Sequence, residues 1–273
     1  MTGIMRALEV RGLAVRFAQG RGDGQSGHLA LAAMELVVDE GSFTVVVGPS
    51  GCGKSTLLRA CDGLIPPESG EVLVYGTRVT GPGPERAMVF QHHNLLPWRT
   101  ALGNVEFGLE LAGLPAATRR SRAMSYLELV GLGGVPEYFP HQLSGGMQQR
   151  VGLARALAME PKILLMDEPF GSIDAQTRVL LQEELARILS RDSKTALFVT
   201  HDIEEALFLA DRVAVMSPGP GRILEVIDVP FDRPRSDRTR ALPEFGQMKE
   251  RIWSTLKPHQ AAAMQKDPVL DGR

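Results

Sequence analysis

Residues 43–56 read FTVVVGPSGCGKST. Phe43–Val47 is a short β-branched run closed by glycine, the pattern of a strand buried on both faces in a parallel sheet. From Lys54 to about Leu64 the apolar spacing is helical, until Pro66-Pro67 breaks it. Between strand and helix, Gly48-Pro49-Ser50-Gly51-Cys52-Gly53-Lys54-Ser55 fits GxxxxGK[ST], a pattern with a physical reason for each fixed position. Glycines let successive backbone N–H groups turn inward around phosphate oxygens, and the helix N-terminus adds a partial positive charge. Lys54 then supplies a point charge for β- and γ-phosphates, and the Ser55 hydroxyl a ligand for Mg²⁺. Cys52 reads as a small loop residue rather than a reactive thiol.

Outward from this loop the chain alternates strand and helix. Strands are expected at Leu8–Phe17, with Leu13, Val15 and Phe17 on one side of an exposed-face strand, and at about Leu31–Val38. Others are expected near Val72–Tyr75, Ala87–Phe90, Ile163–Met166, Ala196–Thr200, Val213–Met216 and Ile223–Val229. Helices fall at about Ala175–Ser190 and Ile203–Leu209, and glycine-bearing Gln19–Gly27 reads as a flexible loop. Between Gln91 and about Glu160 strand signals vanish and helical periodicity takes over. This order predicts an α/β fold with a mostly parallel core sheet, an N-terminal β region and an inserted α-helical subdomain. The expected divisions are a core of residues 1–91 and 159–230, a helical insert of 92–158 and a C-terminal extension of 231–273, whose tail after Pro258 frays.

Other strand ends carry polar residues suited to the same chemistry. Ile163–Met166 runs into Asp167 and Glu168, and strands of a doubly wound sheet deliver such residues into the ligand crevice. Asp167 would hold Mg²⁺ through water, and Glu168 would accept the proton of an attacking water. Gln91 follows Met88-Val89-Phe90 and can reach Mg²⁺ or the water. His201 follows Ala196–Thr200 and, neutral, can bond a γ-phosphate and orient Glu168. Ser144 is a good N-cap before a long helical pattern, and Gly145 and Gly146 expose N–H groups there, making a second anion cradle.

Leu143-Ser144-Gly145-Gly146-Met147-Gln148-Gln149-Arg150 resembles the signature of the ATP-binding cassette (ABC) ATPases. The phosphate loop, Gln91, ILLMDEP at 163–169, Asp174 and His201 follow in that family's order over about residues 8–229. One departure is Ser172-Ile173-Asp174, where the residue before Asp174 is larger than the usual small one. The resemblance implies a P-loop NTPase that hydrolyses ATP with Mg²⁺, its nucleotide-binding set running through Thr56. It implies a head-to-tail homodimer with ATP between one copy's loop and the other's Ser144–Gly146. Asp174 would then lie at the subunit junction, and Phe17 against adenine.

Composition narrows what the ATP drives. The chain has 273 residues with 30 Lys+Arg and 32 Asp+Glu, a net charge of −2 that gives no basic excess for nucleic acid. Apolar residues at 44% and charged residues at 23% exclude a disordered or collagen-like chain. No apolar run approaches the ~20 residues of a membrane helix, and Met1–Val10 does not read as a secretory signal. Two cysteines, Cys52 and Cys61, fit a reducing cytoplasm. Leu95-Leu96-Pro97-Trp98, Asn104–Leu109 and Ser217–Arg222 look like those of the nitrate/sulfonate/taurine-type import ATPases. The expectation is therefore a peripheral subunit on the cytoplasmic membrane face, beneath a separate integral permease, with an extracytoplasmic solute-binding protein supplying substrate. Leu95–Trp98 reads equally as a groove for a permease helix or as local packing. The competing classes are a soluble ABC ATPase acting on nucleic acid or ribosomes, and a non-hydrolysing sensor. Pro230–Arg240, with Arg233, Arg235, Arg238 and Arg240, reads as a solvated face, with anionic lipid contact as the alternative.

Overall fold

Ten strands and eight α-helices succeed one another in the computed structural model, which describes residues 5–18, 27–171, 173–191 and 194–264. They are β1 (Arg6–Phe17), β2 (His28–Asp39), β3 (Phe43–Val47), α1 (Lys54–Asp62), β4 (Ser69–Val74), β5 (Thr77–Arg78), β6 (Arg86–Val89), α2 (Ala101–Leu111) and α3 (Ala116–Leu129). Then come α4 (Gly145–Ala158), β7 (Ile163–Asp167), α5 (Ala175–Arg191), β8 (Thr195–Thr200), α6 (Ile203–Leu209), β9 (Arg212–Met216), β10 (Ile223–Asp228), α7 (Asp237–Arg240) and α8 (Pro243–Met264). The expected loop at Gln19–Gly27 lies outside the described residues except for Gly27, as does Ser172. The elements fall into two units, Met1–Pro82 with Ser193–Arg273, and Gly83–Asp192.

In the first unit β3 lies between β8 and β9 and is parallel to both, and β10 joins β9 antiparallel. Every residue of β3 and β8 is buried. That is why both read as continuous apolar runs rather than alternating ones. Phe43 and Phe198 meet across this pair with ring centroids 5.9 Å apart. β2, β1, β4 and β5 form an antiparallel sheet in that order. β1 lies between β2 and β4, with Val10 opposite Leu36 and Val72, and Ala7–Val10 are buried on both faces, so this part is not the exposed-face strand its alternation suggests. From Arg11 to Arg16 the alternation holds, with Leu13 and Val15 buried, while Phe17, at the strand's end, is exposed rather than on the buried side. Two-residue β5 is too short to leave a periodic signal.

The Arg-rich segment is not a solvated face either. Arg235 is buried, donating from Nη1 to the carbonyls of Leu207, Phe208 and Ala210 at the end of α6. Arg233 donates to Asp211 Oδ1 (2.9 Å) and to the Leu209 carbonyl (2.6 Å). Cations suit a helix C-terminus, where carbonyls lack partners within the helix; Arg238 alone of the four is exposed. The chain also stays helical through Pro258 rather than fraying there. Phe245, Ile252 and Leu256 recur on one buried face of α8, and such packing tolerates the backbone bond that a proline removes.

In the second unit β6 and β7 are parallel, and α2, α3 and α4 pack on one another through residues such as Val105, Leu109, Leu127, Val151 and Ala154.

Candidate functional site

The phosphate loop connects β3 to α1. Gly53 is the residue before the helix, at φ 106° and ψ 11°, a conformation that side chains rarely adopt. A Cβ there would also stand 2.8 Å from Leu31 Cδ2 and 2.9 Å from the Ala30 carbonyl oxygen, so both backbone and space require glycine. Lys54 is only 5% exposed, and its Nζ donates to the carbonyls of Gly48 (2.9 Å) and Pro49 (3.0 Å). The ammonium is thus held inside the loop by its own backbone. Ser50 and Gly51 are exposed at the tip, Ser55 and Thr56 are half-buried, and Cys52 is buried with Sγ turned under Gly48. Cys61 is buried too, and the two cysteines form no disulfide with each other.

Register brings His201 to this loop. β3 and β8 run parallel with Val47 opposite Thr200, so Gly48 and His201 leave neighbouring strands at the same level. His201 is exposed, and the next residue, Asp202, caps α6 by accepting from the N–H groups of Glu204 (2.8 Å) and Glu205 (3.1 Å). β9 ends at the same edge, with Val215 opposite Val47, and leads into Ser217–Arg222. Phe17 pairs with His28 at the open end of β1 and β2, 40% exposed.

The second unit repeats this logic. β6 and β7 are parallel with Val89 opposite Met166, which sets Gln91 level with Glu168 two residues past that pair. Asp167 is the buried last residue of β7. Glu168 turns into the left-handed region at φ 44°, unusual for a glutamate, and the Gly171 N–H donates to its carbonyl at 3.1 Å. Gln91 is exposed.

Ser144 caps α4, its Oγ accepting the Met147 N–H at 3.3 Å, and Ser144 and Gly145 are exposed. Asp174 caps α5 by accepting the Thr177 N–H at 3.0 Å, and that bond holds its carboxyl below the usual aspartate range. Two constellations escaped sequence reasoning. His93 Nδ1 meets Gln149 Oε1 at 2.5 Å, and Arg155 donates to the carbonyls of His93 (3.2 Å) and Asn94 (2.9 Å). Gly145, Gln149 and Gly152 lie on one helix face, and only their spacing hinted that something runs along it. Asn104, wholly buried, ties down the segment before α2: it accepts from the Leu96 N–H and donates to the carbonyls of Leu96, Arg99 and Thr100. Trp98 is left 70% exposed on that loop, so it does not serve as local packing. Among the described residues, no helix is long and apolar enough to cross a membrane.

Known proteins resemble the chain over most of its length. The family model described as ABC transporter matches residues 31–171. The chain is 51% identical over 228 residues to an uncharacterized ABC transporter ATP-binding protein of Methanocaldococcus jannaschii, covering 84% of each chain. It is 46% identical over 231 residues to the taurine import ATP-binding protein TauB of Yersinia pestis, covering 83% of this chain and 91% of that one. A dimeric ATP-binding cassette solved in a post-hydrolysis state with ADP and Pi superposes with a TM-score of 0.73 at 31% identity, over 82% of this chain and all of the other. The chain belongs to the ABC transporter family, as an ATP-hydrolysing subunit.

Proposed function

We propose that the chain is the ATPase of an importer for a small anionic or zwitterionic solute of the nitrate, sulfonate or taurine class. It works as a head-to-tail homodimer beneath a separate integral permease fed by an extracytoplasmic solute-binding protein. The observation that carries this reading is the shared level of strand ends: Gly48 with His201, and Gln91 with Glu168. The kinship to a taurine import protein supports the solute class. In this assignment Gly48–Thr56 wrap the triphosphate with backbone N–H groups, and Lys54 exchanges its two loop carbonyls for phosphate oxygens. Phe17 offers its exposed ring to adenine. Glu168 takes the proton of the attacking water, His201 bonds the γ-phosphate, and Gln91 holds the water. Ser144–Gly146 of one copy complete the loop of the other, and Asp174 lies at that junction.

Ser55, Asp167 and Gln91 make an all-oxygen donor set, which fits Mg²⁺ rather than a softer metal. Bound there, Mg²⁺ would neutralise phosphate charge as it develops. Residues 1–91 and 159–230 act as the nucleotide-binding core, 92–158 as the signature subdomain, and 231–273 as an extension. Trp98 and the exposed Tyr138 face a permease helix. Tyr138 is joined to the start of α2 by the Ala101 N–H donating to its carbonyl at 2.7 Å.

Complementation tests the dimer. Lys54→Ala and Ser144→Arg chains should each be inert alone. Mixed in equal amounts they should regain about a quarter of wild-type ATPase, because half the dimers carry one intact site of two. No recovery in verified heterodimers would overturn the shared-site reading.

A further inference from the structure

Gly221 closes the turn after β9, and no role in nucleotide handling follows from the motifs above. Its φ lies outside the left-handed region, so φ alone does not call for glycine. The demand for glycine there is spatial. A Cβ on Gly221 would stand 2.4 Å from the carbonyl oxygen of Cys52, in the phosphate loop, and 2.1 Å from Met216 Cε. Gly221 is also fastened: its N–H donates to the Ala30 carbonyl (2.9 Å) and its carbonyl accepts from Ala32 (3.1 Å). The turn behind it is closed by Ser217 Oγ, which accepts the Arg222 N–H (3.0 Å) and donates to the Pro218 carbonyl at 3.0 Å or the Pro220 carbonyl at 3.3 Å.

The same wall touches the loop elsewhere. A Cβ on Gly48 would lie 3.0 Å from the Met216 carbonyl oxygen, and one on Gly53 would meet Leu31 and Ala30. Three points along the loop (Gly48, Cys52 and Gly53) therefore abut β2, the end of β9 and the 217–222 turn. The front of the loop consists of backbone N–H groups whose directions must be correct to bind phosphate, and nothing in the loop sequence fixes their depth.

We propose that the Ser217–Arg222 turn, with Gly221 at its contact point, is a positioning element for the phosphate loop that sets the height of the Cys52 carbonyl and hence the aim of the neighbouring N–H groups. Gly221 does not touch nucleotide; it acts through Cys52. An added methyl must push the Cys52 carbonyl outward by about 1 Å to restore ordinary contact, and displacements of that size cost up to ~100-fold at a preorganised site.

The experiment compares full-length Gly221→Ala with Gly246→Ala, whose Cβ would meet nothing within 4 Å. Binding of Mg-ATP and Mg-ADP is read by titration, and folding by thermal melting. Gly221→Ala should weaken both nucleotides by roughly 10- to 100-fold and raise KM while changing kcat less. Gly246→Ala should bind as wild type. Because crowding of Met216 alone could disturb the core, Gly221→Ala is also made with Met216→Val, which removes the nearer obstacle and leaves the Cys52 carbonyl in the way. The double variant should recover melting temperature yet keep the weakened binding. The proposal falls if wild-type affinity returns with Met216→Val, or if Gly221→Ala binds nucleotide normally.

Discussion

Arg235→Ala removes the group that closes the C-terminal end of α6, the helix that begins just after His201. Five donations are lost: Nη1 to Leu207, Phe208 and Ala210 at 3.1, 3.1 and 2.6 Å, and Nε and Nη2 to Phe231 at 3.1 and 2.9 Å. Burial, aided by repulsion from Arg233, lowers the Arg235 pKa to about 10, so the group is charged at neutral pH and carbonyl dipoles carry its compensation. Each stranded buried carbonyl costs about 1–3 kcal/mol, but water entering the emptied volume satisfies some of them. The net loss is about 3 kcal/mol, or roughly 6–12 °C in melting temperature for a chain of this size. Arg235→Lys keeps the charge but not the fork and should lose about half as much. Arg238→Ala, at an exposed position, should stay within ~0.5 kcal/mol. Urea unfolding followed by circular dichroism measures all three. Equal midpoints for Arg235→Ala and Arg238→Ala would refute the capping argument.

Asp174→Asn keeps an N-cap acceptor and should melt as wild type, whereas Asp174→Ala should melt lower; normal ATPase in the Asn variant would remove the junction role. Because the Asp174 carboxyl is lowered in the folded state, its contribution is present above the unfolded pKa and fades as pH falls through the folded value, so melting curves of wild type and Asp174→Ala should converge in acid. Asn104→Ala strips the bonds that hold Leu96, Arg99 and Thr100 and should speed tryptic cleavage after Arg99 about tenfold through local opening, without altering ATP affinity. Chelating Mg²⁺ should abolish turnover while ATP still protects the chain against thermal unfolding.

Much of the fold was legible because the informative elements are extreme. β3, β7 and β8 are buried on both faces, and full burial leaves a composition that no half-exposed strand shares. Glycines at the phosphate loop and the signature turn were legible for a related reason: backbone chemistry admits few alternatives there. β1 was misread only in part: Leu13 and Val15 keep the one-sided alternation, whereas Ala7–Val10 are buried on both faces and Phe17 ends the strand exposed. The arginines were misread because a guanidinium among carbonyls and one in water have the same spelling, and only the end of α6 distinguishes them. Ser217–Arg222 was legible as a string but not as a wall, since a glycine excluded by distance gives no sign in sequence of what it approaches.

The segment after Gln91 shows how local bonds bear on coupling. His93 and Asn94 are strapped to α4 by Gln149 and Arg155, and the His93 carbonyl packs over Gly152, 3.7 Å from where a Cβ would stand. These anchors recur along a single face of the helix that Ser144 begins. A shift at Gln91 of an ångström or more cannot be absorbed between residues 93 and 155 without breaking charge-assisted bonds worth about 1.5–3 kcal/mol each. Moving α4 with the strap breaks none of them. If γ-phosphate loss displaces Gln91, the displacement therefore reaches Ser144–Gly146 as motion of α4. His93→Ala with Arg155→Lys should then leave nucleotide affinity intact while lowering turnover and the cooperativity of ATP dependence, and unchanged cooperativity would mean that the strap transmits nothing.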